Sequence, residues 1–290
     1  MEPREGSGLL PPRDVLRAAA TFRRMRCAET RDRTHEMITV DDARAAPPVG
    51  ELPEGWCDVV GRGRMGAALF SALRLAGVPV RGPFGRGADA AGAAVALLCV
   101  PDREIANAGA GICDGVIVGH VSASADLSLL APHDRFVLHP LLSVVGEGAS
   151  FGGAACAVEG SGEKALGVAC ALAARLGMRA RHIDPEQRAL YHAAASVASN
   201  YLTTVEGLAE RLAAMVGLDR SDLLPLVRSA VDHWAERGAR AALTGPVARA
   251  DEETVARQRA AVNSAAPDAL PLWDALVSAT RELAHSGPRP

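Results

Sequence analysis

Cys57-Asp58-Val59-Val60-Gly61-Arg62-Gly63-Arg64-Met65-Gly66 is a short apolar run closing on G-x-G-x-x-G. An Ala/Leu-rich stretch at helical spacing follows over roughly 65–76 and stops at Gly77. A second apolar run, Val78–Gly82, comes directly after it. Strand, glycine turn, helix and strand within about 30 residues is the context in which this motif has a mechanism. Gly61 allows the tight turn, Gly63 lets a ligand approach the backbone, and Gly66 lets helix and strand pack closely. Free N–H groups at the helix N-terminus then face a pyrophosphate. Arg62, Arg64 and Met65 occupy the variable positions. The stretch predicts a dinucleotide site.

Further strand candidates are Ala94–Val100, Gly115–Val121, Phe136–His139, Ala154–Val158 and Arg179–Ile183, with an Ala/Leu helix over about 163–176. Short buried strands alternating with helices predict a mostly parallel, doubly wound α/β sheet. The link from Gly82 to Ala94 is too tight for a full crossover helix, so one turn or none is expected there. Ligands in such sheets lie beyond the carboxyl ends of the strands. Val100, Pro101 and Asp102 are therefore expected at the cofactor, and His120, Ser122, Ser124 and His139-Pro140-Leu141 beside the substrate. Twenty residues after Gly61, where an acidic residue would meet a ribose hydroxyl, stands Arg81, with Arg86 soon after. Arginine suits a 2′-phosphate, which favours NADP over NAD.

After Ile183 the period becomes helical. Asp184-Pro185-Glu186-Gln187 is a helix start, with Asp as N-cap and Pro at the first position. Leu190, Ala194, Val197, Tyr201, Val205, Leu208 and Leu212 then form one apolar face as far as Gly217. Helices are expected over 221–236, 251–263 and 268–285. On the first of these helical runs His192, Ser196 and Asn200 stand at i, i+4 and i+8, a polar line among alanines with no charge beside it. The expected division is an extension over 1–50, a dinucleotide-binding domain over 52–184, and an all-helical domain over 185–290. The extension is Arg-rich between Arg13 and Arg33 and has a possible alternative start at Met37.

The chain has 290 residues, 31 basic and 34 acidic, for a net charge of −3. Apolar residues are 49% but aromatics only 3%, so the core must be built from Ala, Val and Leu. A pI near 6.3 without a basic stripe argues against nucleic acid. No apolar run is long enough for a bilayer, and the Arg/Pro-containing start is unlike a secretion signal. Six Cys (27, 57, 99, 113, 156 and 170) show no C-x-x-C and read as reduced buried thiols, with no metal site. A cytoplasmic protein is expected.

The order of Val-Val-Gly-x-Gly-x-x-Gly, Val100-Pro101-Asp102, His139-Pro140-Leu141, Tyr191-His192-Ala193-Ala194-Ala195, Ser199-Asn200-Tyr201 and Ala242-Leu243-Thr244-Gly245-Pro246-Val247-Ala248-Arg249 resembles a known group. These are predicted oxidoreductases that pair a Rossmann-like module with a helical domain of unknown function. Their second module begins near residue 150, whereas the change of period here falls near 184. The group is similar in turn to 6-phosphogluconate dehydrogenase-like enzymes, including hydroxyacid dehydrogenases, ketopantoate reductases and pyrroline-5-carboxylate reductases. The resemblance implies a Rossmann doubly wound sheet, a 6-phosphogluconate dehydrogenase C-terminal-like helical domain that forms a homodimer, and a site in the cleft between them.

Hydroxyacid dehydrogenase relatives use Lys-x-x-x-Asn on the first helix of that domain. Asn200 matches the Asn, but the lysine position is Ser196, and the one lysine of the chain is Lys164. His192 is then the expected proton donor, with Tyr191 second. Asn200 and Ser196 would hold the substrate oxygen. Thr244 and Arg249 would meet the substrate, Arg249 clamping a carboxylate. The expected reaction is NADP-dependent reduction of a small 2-oxo acid, ketopantoate first. The alternatives are imine or pyrroline reduction, and a cofactor-binding sensor without turnover.

Overall fold

The computed structural model describes residues 50–146 and 148–285. The expectations for residues 1–49, including the Arg-rich stretch, Met37 and Cys27, lie outside the described residues.

Seven strands form one sheet in the order β2-β1-β3-β4-β5-β6-β7. They are β1 (Trp56–Val60), β2 (Val80–Phe84), β3 (Ala93–Leu98), β4 (Ile117–His120), β5 (Arg135–Pro140), β6 (Ala155–Gly160) and β7 (Arg179–His182). All pairs are parallel except β5 with β6. No helix joins β2 to β3, as the short link requires. The chain leaves β1 through α1 (Arg64–Leu75) to β2 on one side, then returns across β1 to β3 on the other. That reversal opens a crevice between the carboxyl ends of β1 and β3, where doubly wound sheets bind ligands.

Strand alternation sends two apolar sets to opposite faces. Cys57, Val59, Leu97, Phe136, Leu138 and Val158 pack beneath α1 and α3 (Glu163–Arg175). Val60, Ala96, Leu98 and Val118 pack with Ile105 of α2 (Ile105–Ala110), a short helix with no sequence signal, and with Leu130. Both layers are aliphatic, as the composition demands. Truncating a fully buried side chain such as Leu97 or Phe136 costs about 2–5 kcal/mol.

Beyond β7 every described element is helical: α4 (Arg188–Ser196), a π-helical turn (Val197–Tyr201), α5 (Leu202–Ala214), α6 (Arg220–Ala242), α7 (Glu252–Ala265) and α8 (Leu270–His285). Pro185 opens a 3-10 turn ahead of α4, but Asp184 makes no side-chain cap. Its carboxylate instead lies 3.5 Å from His182. The long apolar face is interrupted by the π turn. Its first half is also uncovered, with Leu190 75%, Val197 58% and Tyr201 60% exposed, while Val205, Leu208 and Leu212 are half-buried. The thiols of Cys57, Cys99, Cys156 and Cys170 are buried, but that of Cys113 is exposed, contrary to expectation. Lys164 is an exposed residue beside Asp134 at 3.3 Å.

Candidate functional site

Gly61 directly follows β1 with φ +124°, and a Cβ there would stand 2.1 Å from the Cys99 carbonyl oxygen. A Cβ on Gly66 would stand 1.9 Å from the Gly61 oxygen. Contact between chain segments thus accounts for two glycines of the motif. Gly63 is different, because a Cβ there would meet nothing within 4 Å. The protein itself gives no steric reason for glycine at 63, and the open space lies at the N-cap of α1. The cap has no side-chain hydrogen bond and no acid follows in the first turn. The N–H groups of that turn have no helical acceptors, and the positive end of the helix dipole favours an anion. The residues fit the pyrophosphate of a dinucleotide.

Arg81 is not where the sequence spacing put it. The second strand runs to Phe84, two residues beyond the expected end, and Arg81 pairs in register with Asp58 in mid-strand. An extra residue on β2 shifts the register between Asp58 and Val60. The Arg81 guanidinium donates from Nε and Nη2 to the two Asp58 carboxylate oxygens, each at 2.7 Å, and from Nη2 to the Ala91 carbonyl at 3.1 Å. Asp58 is 1% exposed, so Arg81 serves as the counter-ion of a buried carboxylate. The strand actually ends at Phe84-Gly85-Arg86, and the Phe84 carbonyl accepts from Gly61 N–H at 2.9 Å. Arg62 reaches back over Gly85, within 3.5 Å of where a Cβ would lie. Arg62 and Arg86, both exposed, are the cations at this corner.

Past β3, Val100 and Pro101 lead into a 3-10 turn begun by Asp102. Asp102 accepts from the Ser124 hydroxyl at 2.7 Å, which ties the β3 and β4 loops together. His120 is fully buried at the end of β4. Its Nδ1 accepts from Ser122 N–H at 3.2 Å, which places the ring proton on Nε2, and that nitrogen has no protein partner. Burial, then the charge of Arg188, pushes His120 down to about 4.

The second wall comes from α4. A cleft of about 580 Å³ is lined by His139, Pro140, Leu141 and Leu142 from the sheet side. Tyr191, His192, Ser196, Ser199 and Asn200 line it from the helix. The π turn carries Ser199 and Asn200; such turns insert one residue per turn and recur at functional sites. His192, Ser196 and Asn200 therefore meet in one cleft with His139 and Tyr191. Thr244 and Arg249 do not. They lie on the loop between α6 and α7, exposed, outside the residues that line the cleft.

Two residues unmarked by the sequence reading join helix and sheet. Arg188, the first residue of α4, forms an ion pair with Glu159 of β6 and donates to the Ala125 carbonyl at 2.9 Å. With Ser122, His139 and Tyr191 they border a small cavity with room for about one water. The available signal was Glu159 itself, the one acid in the apolar run Ala154–Gly160. Among the described residues no group of His, Cys, Asp and Glu is arranged to hold a metal.

Residues 154–280 match a family model described as "Domain of unknown function (DUF2520)". No curated protein matches the chain. Among solved structures, BF3122 from Bacteroides fragilis, provisionally named an NADP oxidoreductase, is similar at TM-score 0.68 and 21% identity, over 79% of this chain and 98% of that one. Protein TM1727 from Thermotoga maritima is similar at 0.65 and 23%, over 80% and 100%. A reductive aminase from Aspergillus terreus is similar at 0.56 and 15%, over 79% and 94%. The match to the family model begins at β6, inside the sheet, and runs through the helices. The chain is a Rossmann-like sheet module followed by a helical region, with the DUF2520 match running across their junction, and it shares this fold with these solved structures.

Proposed function

We propose that the protein is an NADP-dependent oxidoreductase that reduces a small carbonyl compound in the cleft between β5 and α4. The observation that carries this reading is a shared location. The glycine turn after β1 and the His139 wall at the end of β5 stand on the same carboxyl edge of the sheet, and the polar face of α4 closes over the latter. Gly61, Gly63 and Gly66 would hold the pyrophosphate, with Val100, Pro101 and Asp102 bordering the nicotinamide side. Arg62 and Arg86 would bind the 2′-phosphate, with Arg64 adding positive charge. When bound, the cofactor supplies a hydride. The protein must supply the proton, and His192 does so while Ser196 and Asn200 hold the substrate oxygen. His120, fully buried, and Ser122, beside the one-water cavity, are not among the residues that line the cleft, so neither is given a substrate contact.

A 2-oxo acid, with ketopantoate first, is the substrate that the sequence resemblance suggests. That version needs a carboxylate clamp, and Arg249 lies outside the cleft. The position of Arg249 favours the second reading, a neutral ketone or imine. The structurally similar reductive aminase from Aspergillus terreus is in complex with NADPH4, cyclohexanone and allyl amine.

The uncovered apolar residues of α4, α5 and α6, among them Leu190, Leu202 and Trp234, support a homodimer built through the helical region. No helix among the described residues is long and apolar enough to cross a membrane. Titration with NADPH and NADH tests the cofactor assignment directly. NADPH should bind at least tenfold more tightly, and equal affinity or tighter NADH would reject it.

A further inference from the structure

His139, the last residue but one of β5, has one ring nitrogen already committed. Its Nδ1 lies 2.8 Å from the Tyr191 hydroxyl, and the two rings meet edge-on with centroids 5.6 Å apart and planes at 86°. A phenol O–H is a good donor and its neutral oxygen a poor acceptor, whereas an unprotonated imidazole nitrogen accepts well. Tyr191 therefore donates to Nδ1, and the single proton of the neutral ring sits on Nε2. With Nδ1 filled, Nε2 is the edge left for the cleft that His139 lines opposite His192 and Asn200. Burial and then nearby His192 push His139 down to about 4, and burial pushes Tyr191 up to about 12. The ring stays neutral and the phenol keeps its proton at neutral pH.

We propose that His139 is a neutral hydrogen-bond donor, through Nε2–H, to the carbonyl oxygen of the substrate, and that Tyr191 is the positioning residue that fixes this tautomer. This rests on the reductase reading above. As the hydride reaches the carbonyl carbon, the C=O π pair moves to oxygen. That oxygen takes its proton from His192 and is stabilised by the N–H of His139, which transfers none. A donor aimed at developing charge from the sheet wall complements Ser196 and Asn200 on the helix wall.

The test is the tautomer itself, read by long-range ¹H–¹⁵N correlation on the full chain with ¹⁵N-labelled histidine, the His139 signals being assigned by their loss in His139→Gln. Wild type should show a protonated Nε2 and a bare Nδ1. Tyr191→Phe should mix in the Nδ1–H form and lower kcat by ~10²-fold with little change in KM. His139→Gln, which keeps an N–H, should retain more activity than His139→Ala. An Nδ1–H tautomer in active wild type, or a Tyr191→Phe protein with unchanged tautomer and kcat, overturns the inference alone. If Tyr191→Phe does not fold, the wild-type tautomer decides. The tautomer is read without substrate, so an Nε2–H wild type that turns over no carbonyl overturns the reductase reading and, with it, the role of His139.

Discussion

Asp58 and Arg81 show how one residue's environment reassigns its role. Counting from Gly61 puts Arg81 at the ribose, but the register puts it on a buried carboxylate. Removing one partner of such a pair costs about 3–5 kcal/mol, because the other charge stays buried and alone. Arg81→Met should therefore lower stability in urea titration by several kcal/mol and leave the NADPH-to-NADH affinity ratio where it was. Arg62→Ala and Arg86→Ala should do the reverse. Each would weaken NADPH by ~1.5–3 kcal/mol, the range for hydrogen bonds to charged groups, with stability kept. A wild-type affinity ratio in both Ala variants would remove them from the phosphate site. His120 makes a different prediction. It is held at about 4 in the fold and titrates near ~6.5 when unfolded. Between those values the unfolded chain binds a proton that the native chain does not, so stability falls as pH drops from about 6.5 towards 4. The full difference is about 3 kcal/mol. His120→Asn keeps an acceptor for Ser122 N–H but cannot titrate there, and its urea midpoint should vary less with pH over that range.

At the level of elements, the glycine turn makes a sharp distinction. Gly66→Ala presses a methyl group into the Gly61 carbonyl and should destabilise the fold. Gly63→Val meets no protein atom. It should melt near the wild-type temperature yet bind NADPH at least tenfold more weakly, and unchanged binding would move the pyrophosphate elsewhere. Strand and helix positions were legible because burial imposes a period: all seven strands, α1 and α3 fall within a few residues of their apolar runs. The short link after β2 was legible too, since its length alone forbids a crossover helix. Positions set by contact between segments were not. The extra residue that carries β2 to Phe84 leaves no local mark, and the ion pair between Arg188 and Glu159 leaves only one acid in an apolar run, with nothing to name its partner. The π turn is equally silent, because inserting one residue into a helix changes no composition. The line His192, Ser196 and Asn200 still reached one cleft. Arg249 did not, since a loop between two later helices has no period to place it.

Over the whole molecule, sheet and helical region divide the chemistry. The sheet edge fits the dinucleotide, and in the proposed reaction α4 brings the groups for proton transfer. The proposed homodimer would cover the apolar side chains left exposed on the helices. Light scattering at micromolar concentration should report a dimer, and a monomer would reject that assembly. The central claim is reduction by NADPH with a proton from His192. It is tested most directly by following NADPH absorbance with wild type and His192→Gln against 2-oxo acids, neutral ketones and cyclic imines. The expected result is sustained NADPH oxidation by wild type with at least one of these. In His192→Gln, kcat should be lower by ~10²–10⁴ at unchanged NADPH affinity. NADPH bound without turnover across the panel would contradict the account and leave a cofactor-binding sensor, and full activity in His192→Gln would place the proton donor elsewhere.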